Sequence, residues 1–219
     1  MSNNKINPNR VEVARGTDIH DPITTTVSPV SGPTLMFQEA AEAGAAVARM
    51  LAANGSAFAA LGAKLRAAPP AVIVTCARGS SDHAATYGKY LIETRTGIPV
   101  ASAAPSVASV YAAPAVQGHA LCIAISQSGR SPDLLATVAA QKAAGAHVVA
   151  LVNDATSPLA ETADTVIALS AGVERSVAAT KSYIASLAAL AALVAEWTED
   201  DTLRRAVAGL PDALARSWA

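Results

Sequence analysis

The sequence predicts an α/β fold in which a doubly wound, parallel, five-stranded sheet is flanked by helices. Five short apolar runs, several of them rich in β-branched residues, alternate along the chain with segments whose apolar residues recur at helical spacing. Strands that alternate with helices form parallel sheets covered on both faces, with right-handed crossovers. The chain has 219 residues, of which 52% are hydrophobic and 15% charged, which is enough apolar material for one buried core.

The strands and helices can be placed in order along the chain. The apolar runs predict strands at 71–76, 97–102, 121–125, 147–152 and 165–169. The helical pattern predicts one helix from Met36 to Leu51 and another from Phe58 to Leu65, separated by a break at Asn54-Gly55-Ser56. Further helices are predicted at 84–93, 105–111, 134–144, 157–160, 177–197 and 202–218. The side chains expected to pack the first of these against the sheet are Tyr87, Tyr90 and Leu91.

Composition and charge indicate which partners, metals and cofactors are not expected for this chain. A net charge of −1 gives no general attraction to nucleic acid or membrane, so neither is expected as a partner. Cys76 and Cys122 fall in predicted core strands, where two free thiols in a reducing cytosol are expected rather than a disulfide. No Cys/His cluster has zinc spacing, and neither a metal nor a cofactor is expected. The expected location is therefore cytoplasmic.

Residues 1–33 differ from the rest of the chain because they are polar and rich in turn-forming residues. They contain no apolar stretch of the length that a signal peptide needs. We expect this segment to be a flexible N-terminal arm, since it has too little apolar surface to form a core. The sequence assigns it no function.

A hydroxyl-rich turn, Ser126-Gln127-Ser128-Gly129, follows the strand at 121–125 and leads into the helix at 134–144. The first turn of a helix has unpaired backbone N–H groups and a partial positive charge. Small residues there let an anion approach, and hydroxyls such as that of Ser131 add donors, so phosphate is a natural ligand. The alternative interpretation is an ordinary serine cap followed by Pro132 and Asp133.

A second turn of the same kind, Arg78-Gly79-Ser80-Ser81, follows the strand at 71–76. Two such turns in one parallel sheet can face a single crevice at the carboxyl ends of the strands. A third segment, Gly172 to Lys181, leads from the last strand into a long Ala/Leu helix. Its alternative interpretation is a helix start whose Thr180 and Lys181 face solvent.

These three motifs, in this order, resemble the sugar isomerase (SIS) domain family. The resemblance covers about residues 35–197 and is strongest for the isomerase half of glucosamine-6-phosphate synthase and the related glucosamine-6-phosphate deaminases. Those proteins carry a Gly-Ser/Thr-Ser turn, a Ser-Gln-Ser-Gly turn, and a Glu followed by Val-Ala-Ser/Thr-Thr-Lys. The resemblance implies a flavodoxin-like three-layer sandwich that binds phosphorylated amino sugars.

The resemblance also assigns roles to individual residues. The phosphate and nearby sugar oxygens would be held by Ser80, Ser81, Ser126, Gln127, Ser128 and Ser131. Uncharged hydroxyls and backbone N–H groups can surround a dianion without a buried cation. Arg78 stands where many relatives carry a different residue, so its role is taken from its own chemistry: it would add a charge-assisted bond to the phosphate, or would instead pair with Asp82. Val177, Ala178 and Lys181 would border the sugar.

Glu174 is the one carboxylate within the three motifs, and is therefore the candidate base for proton transfer between C1 and C2 of the sugar. The family enzymes carry two such domains in tandem, and take a catalytic Glu and a ring-opening His from the second domain or a neighbouring subunit. We expect a SIS domain at 34–199 and a C-terminal helix at 200–219 leading toward a missing second SIS domain. The N-terminal nucleophilic Cys of the synthase is absent, so glutamine-dependent amide transfer is not expected.

Three functions are consistent with this sequence. The first is isomerase or deaminase chemistry on glucosamine 6-phosphate and fructose 6-phosphate, with this chain as a truncated, weakly active half. The second is a regulatory module that binds a sugar phosphate, although family sensors usually bring a basic helix-turn-helix segment that residues 1–33 do not resemble. The third is an assembly partner. Long Ala/Leu stripes on the helices that start at Met36 and Val177 further predict a homodimer with the sugar sites near its interface.

Overall fold

A five-stranded parallel sheet forms the centre of residues 32–115 and 117–218, the part of the chain that a computed structural model describes. Its strands are β1 (Val72–Ala77), β2 (Val100–Ser102), β3 (Ala120–Ser126), β4 (His147–Val152) and β5 (Thr165–Ala168). They lie in the order β2-β1-β3-β4-β5, and every pair is parallel. The predicted α/β class, strand number and strand direction are confirmed. The strand order reverses between β1 and β3, which places a crevice at their carboxyl ends.

Nine helices connect and cover the strands within the described residues. They are α1 (Leu35–Ala41), α2 (Ala43–Ala67), α3 (Ser80–Thr96), α4 (Pro105–Ser109), α5 (Pro132–Ala143), α6 (Pro158–Thr162), α7 (Thr180–Thr198), α8 (Asp201–Ala208) and α9 (Leu210–Arg216). None of these helices is both long and apolar enough to cross a membrane. Within the same described residues, no three His, Cys, Asp or Glu side chains are grouped as a metal site requires.

The sheet is buried on both faces, which explains why its central strands read as continuous apolar runs. Side chains alternate across β3, so that Ile123 joins the core formed with α2, α3 and α7, while Cys122 joins the smaller core formed with α5 and α6. Cys76 lies in that second core too, and both cysteines are free, as predicted. Burial raises the pKa of the Cys76 thiol to about 11 and that of Cys122 to about 12.

The predicted break at residues 54–56 is wrong, because α2 runs unbroken from Ala43 to Ala67. Asn54 is buried within this helix and its side chain is fully used. The amide nitrogen of Asn54 donates to the carbonyls of Met50 (2.7 Å) and Ala168 (2.8 Å), and its amide oxygen accepts from the N–H of Ala168 (3.1 Å). A residue that resembles a turn signal in the sequence therefore attaches α2 to the end of β5.

Two smaller predictions also need correction. Tyr87 and Tyr90 do not pack α3 on the sheet, because their side chains are exposed, and the buried face of α3 consists of Ala84, Ala85, Gly88 and Ile92. The C-terminal helix predicted at 202–218 is divided into α8 and α9. Gly209 separates the two, and Pro211 lies in the first turn of α9, where its missing N–H costs no helical hydrogen bond.

The prediction that residues 1–33 form a flexible arm falls almost entirely outside the described residues. The prediction for residues 200–219 falls within them, apart from the last residue. Leu203, Leu210 and Leu214, together with the buried Val207, pack against the same core as α2 and α7. The role of this segment as a link toward a second domain stays a prediction.

Candidate functional site

A cleft of ≈ 320 Å³ opens at the carboxyl ends of β1 and β3. It is lined by Arg78, Ser80, Ser81, Ser126, Gln127, Ser128, Ser131, Ala178, Ala179, Ser182 and Tyr183. Eight of the eleven predicted site residues are in this lining, contributed by all three motifs. We call it the serine cleft. Parallel strands bring their carboxyl ends to one edge, which is why motifs far apart in the sequence meet there.

The first wall of the serine cleft is the turn from β1 into α3. Gly79 takes a left-handed conformation (φ 57°) that turns the chain, and α3 begins at the next residue. Ser80 and Ser81 therefore lie in the first helical turn, where backbone N–H groups have no partner within the helix. Hydroxyls and free amide groups are thus presented together at the positive end of the helix dipole.

The second wall is the turn from β3 into α5. The Oγ of Ser126 accepts a hydrogen bond from the N–H of Gly129 (2.9 Å), which closes the turn on itself. Gly129 has φ 64°, and a Cβ there would lie 2.6 Å from the Cβ of Ser157 and 3.0 Å from Val152. Only glycine fits this position without a shift of its neighbours. Ser131 occupies the N-cap position of α5, and its hydroxyl donates to the Asp133 carboxylate instead of making a side-chain capping bond to the helix backbone.

Several polar side chains in the serine cleft are not used by the protein itself. The hydroxyls of Ser126 and Ser131 have protein partners. In contrast, among the residues that the structure describes, the hydroxyls of Ser80, Ser81 and Ser128 and the Gln127 amide form no protein hydrogen bond. Unused donors facing one cavity are what a ligand rich in oxygen atoms requires.

The third wall is the segment from Gly172 to Ala179, which leads into α7. Glu174 holds the start of this helix, because its carboxylate accepts from the N–H groups of Lys181 (2.6 Å) and Ser182 (3.2 Å) and from the Ser182 hydroxyl. The carboxylate thereby satisfies amide groups that a helix leaves unpaired. Glu174 is not among the residues that line the cleft. Its role as a base stays a prediction.

Two other predicted residues also lie outside the lining of the serine cleft. Val177 is 94% exposed and faces away from the core. The Lys181 side chain is buried in a neighbouring pocket, where its Nζ donates to Glu42 (2.7 Å) and to the carbonyl of Val173 (3.1 Å). The structure therefore does not place the Lys181 ammonium in the cleft.

Arg78 is in the cleft lining, but its ion-pair partner differs from the one considered from the sequence. Its guanidinium donates to the carboxylate of Asp133, in the first turn of α5, and not to Asp82. The pair joins the two serine-bearing turns. More than half of the Arg78 side chain remains exposed, so donors remain available to a ligand in the cleft.

Sequence reasoning missed three lining residues: Ala179, Ser182 and Tyr183. Ala179 is the neighbour of the predicted Ala178, and Ser182 and Tyr183 lie in the first turn of α7, which begins at Thr180. The predicted third motif ends at Lys181, one residue before Ser182. A helix that starts at the end of this motif places its first turn beside the same strand ends, and that was the available signal.

The match of a family model decides which family this chain represents. The model described as "SIS domain" matches residues 68–196, more than half of the chain. The chain belongs to the SIS domain family. The SIS match includes all five strands and both serine-bearing turns, and it extends through most of α7.

Curated relatives of this SIS domain are much longer enzymes, and this chain matches one part of each. Glutamine–fructose-6-phosphate aminotransferase [isomerizing] from Symbiobacterium thermophilum is 40% identical over 135 residues, which are 62% of this chain and 22% of that enzyme. The enzyme of the same name from a strain of Thermus thermophilus is 39% identical over 127 residues, 57% of this chain and 20% of that enzyme. The chain thus matches about a fifth of the length of these relatives.

Solved structures agree on the fold. A candidate phosphosugar isomerase from Silicibacter pomeroyi DSS-3 has a TM-score of 0.81 and 47% identity, covering 84% of this chain and 57% of that one. The C-terminal domain of glucosamine-fructose-6-phosphate aminotransferase from Francisella tularensis has a TM-score of 0.67 at 24% identity, covering 86% and 55%. A candidate sugar binding protein from Salmonella typhimurium has a TM-score of 0.63 at 19% identity, covering 83% and 56%. The latter two support the fold alone.

Proposed function

We propose that the serine cleft binds the phosphate group of a phosphorylated sugar. One observation carries this proposal: hydroxyl and amide donors that have no hydrogen-bond partner among the described residues are gathered at the N-terminal ends of α3 and α5, facing one cavity. Helix N-termini favour anions through their free N–H groups and dipole. The names of the relatives support a phosphosugar as the ligand, since they include a fructose-6-phosphate aminotransferase and a candidate phosphosugar isomerase.

We further propose that the bound sugar is an amino sugar or its ketose counterpart, such as glucosamine 6-phosphate or fructose 6-phosphate. The chemistry would be isomerisation or deamination, in which a proton moves between C1 and C2. That step needs a base close to the sugar. Among the described residues that line the cleft there is no carboxylate and no histidine, so the base would have to come from outside this lining.

A second candidate function is sugar-phosphate binding without catalysis by this domain alone. The absence of a carboxylate among the lining residues of the described chain favours it. Contacts that hold substrate and transition state equally do not accelerate a reaction, so binding and turnover can be separated. An ammonia-release assay with glucosamine 6-phosphate, run together with an NMR measurement of proton exchange at C2 of the sugar, distinguishes the two. Rapid release or rapid exchange supports the enzyme and makes Glu174 the first residue to substitute, whereas binding with neither supports the module.

We also propose that the domain forms a homodimer whose interface lies close to the serine cleft. Val173 and Val177, on the third wall, are 73% and 94% exposed. A second copy of the chain placed against this wall would cover both side chains. Light scattering measures the molecular mass directly, and a strictly monomeric protein contradicts this proposal.

The proposed ligand is tested by calorimetric titration of glucosamine 6-phosphate into Ser128→Ala and into Ser126→Ala/Ser128→Ala. A hydrogen bond to a charged group contributes roughly 1.5–3 kcal/mol, so the double variant should bind on the order of a hundredfold more weakly or worse. Ser128→Ala is the cleaner of the two, because Ser126 also closes its own turn. Ser56→Ala/Ser109→Ala is the matched control, since both of these serines are exposed and outside the cleft lining. Equal affinity in all these proteins contradicts the phosphate assignment.

A further inference from the structure

The third wall of the serine cleft is held in place by a buried glutamate from a distant part of the chain. Glu39 lies on α1, and only 5% of its surface is exposed. A carboxylate is rarely this buried unless donors satisfy its oxygens. Its Oε1 accepts from the N–H of Arg175 (2.7 Å), while its Oε2 accepts from the N–H of Ser176 (3.1 Å) and from the Ser176 hydroxyl.

These contacts hold the middle of the third wall, directly before the residues that line the cleft. Glu39 binds Arg175 and Ser176, and Glu174 binds the amide groups of Lys181 and Ser182 at the start of α7. Residues 177–180 lie between these two anchors. Within that span, Ala178 and Ala179 line the cleft. Their side chains are single methyl groups, so any hydrogen bond they form with a ligand must come from their backbone, whose position depends on both anchors.

We propose that Glu39 is a positioning residue for sugar recognition: it sets the backbone of residues 177–179 against the sugar part of the ligand without contacting the ligand. This inference rests on the proposed function and assigns different parts of the ligand to different walls of the cleft. The turns after β1 and β3 hold the phosphate, and the Glu39-anchored wall faces the remainder of the sugar. Loss of the anchor should therefore weaken the recognition of the sugar and spare that of the phosphate.

The charge of the carboxylate matters for this role. Glu39 accepts three hydrogen bonds, chief among them that of the Ser176 hydroxyl, and these keep its pKa below the ordinary glutamate value. Glutamine has the same shape but replaces one acceptor oxygen with a donor. In Glu39→Gln, the new NH₂ group would face the backbone N–H of either Arg175 or Ser176, which can only donate, so at least one of the three hydrogen bonds would be lost.

The experiment compares glucosamine 6-phosphate with inorganic phosphate as probes of the wild-type protein and Glu39→Gln. We expect the affinity for glucosamine 6-phosphate to fall about tenfold, the size of one or two lost hydrogen bonds, while that for inorganic phosphate changes by less than about twofold. Glu196→Gln is the matched control. It removes a carboxylate that binds Arg204 (2.8 Å and 2.9 Å) near the far end of α7. A merely destabilising substitution, such as this one, should leave the ratio of the two affinities unchanged.

Hydrogen exchange supplies a readout that does not depend on any ligand. In Glu39→Gln, the amide groups of Arg175 and Ser176 should exchange faster, and those of the β3–α5 turn should not. If Glu39→Gln fails to fold, Ser176→Ala removes one of the three donors instead and should shift both readouts in the same direction. Unchanged exchange at Arg175 and Ser176, or an equal loss of affinity for both probes, overturns the role of Glu39. Failure of the wild-type protein to bind glucosamine 6-phosphate contradicts the proposed function instead, and hydrogen exchange then decides whether Glu39 holds the wall.

Discussion

The shape of the turn between β3 and α5 depends on the close approach of Gly129 to Ser157 and Val152. Gly129→Ala would place a methyl group 2.6 Å from the Cβ of Ser157 and force a side chain into φ 64°. We expect a loss of about 1–3 kcal/mol in the free energy of unfolding, measured by urea denaturation, because overpacking adds to the backbone strain. Gly145→Ala is the matched control, since φ there is 91° but nothing lies within 4 Å of the added Cβ. An equal loss in both variants contradicts the close approach.

Asp154 makes the loop after β4 sensitive to acid. Hydrogen bonds from the Thr156 hydroxyl, and then from Arg130, lower the pKa of this carboxyl to about 2 from an ordinary value of 3.8. A group whose pKa is lower in the folded protein stabilises it above the ordinary pKa, and this contribution is lost as the pH falls through the folded value. Asp154→Asn should therefore reduce the melting temperature at pH 7. The gap from wild type should close between about pH 4 and pH 2, whereas a gap that stays constant over this range contradicts the assignment.

Two glycines in α2 are expected to respond in opposite directions to the same substitution. Nothing lies within 4 Å of a Cβ added at Gly55, so Gly55→Ala should stabilise the protein by about 0.5–1 kcal/mol through helix propensity. A Cβ added at Gly62 would lie 2.8 Å from the Glu196 carbonyl carbon and 2.9 Å from the Trp197 nitrogen. Gly62→Ala should therefore separate α2 from α7 and destabilise the protein, by about 1–3 kcal/mol. Urea denaturation of the two variants checks this, and stabilisation by both contradicts the packing of α2 on α7.

At the level of elements, the strands were predictable because a strand buried on both faces needs apolar residues at consecutive positions, and such runs are visible in the sequence. The course of α2 was not. Asn54 and Gly55 look like a turn in sequence, but the partners of Asn54 are Met50 and Ala168, and Ala168 lies 114 residues away. A contact between residues so far apart in the chain produces no periodic pattern in the sequence. The prediction for the tyrosines of α3 is wrong for a different reason: the buried face of this helix recurs at helical spacing, but three of its four residues are Ala or Gly, so the sequence favours the larger aromatic side chains as the packing face.

The site was predictable where it depends on local structure, and not where it depends on long side chains. The serines sit at strand ends, so the direction of the sheet alone places them in one crevice. Arg78 and Lys181 have several rotatable bonds and take partners on other elements, Asp133 on α5 and Glu42 at the start of α2. Sequence spacing carries no information about such choices. The sequence predicts a solvated helix face for Glu39, and this is wrong because Glu39 is buried against partners that are more than 130 residues away.

For the whole molecule, the position of the cleft follows from the topology. The sheet is covered on both faces by two separate cores, so the edge at the carboxyl ends of β1 and β3, where the strand order reverses, is free to hold a ligand. The family match covers all five strands and most of α7, and it begins directly after α2. The residues that line the serine cleft all belong to the matched segment. The proposal assigns the phosphate to this cleft and the reacting base to groups outside its lining.

The most direct measurement is a pair of calorimetric titrations, one with glucosamine 6-phosphate and one with glucosamine. The two ligands differ only in the phosphate group, which the proposal places among the unused donors of the serine cleft. We predict saturable binding of glucosamine 6-phosphate and at least a hundredfold weaker binding of glucosamine, because several hydrogen bonds to a charged group, each worth roughly 1.5–3 kcal/mol, are lost. Equal affinity for both ligands, or no binding of glucosamine 6-phosphate, would contradict the account.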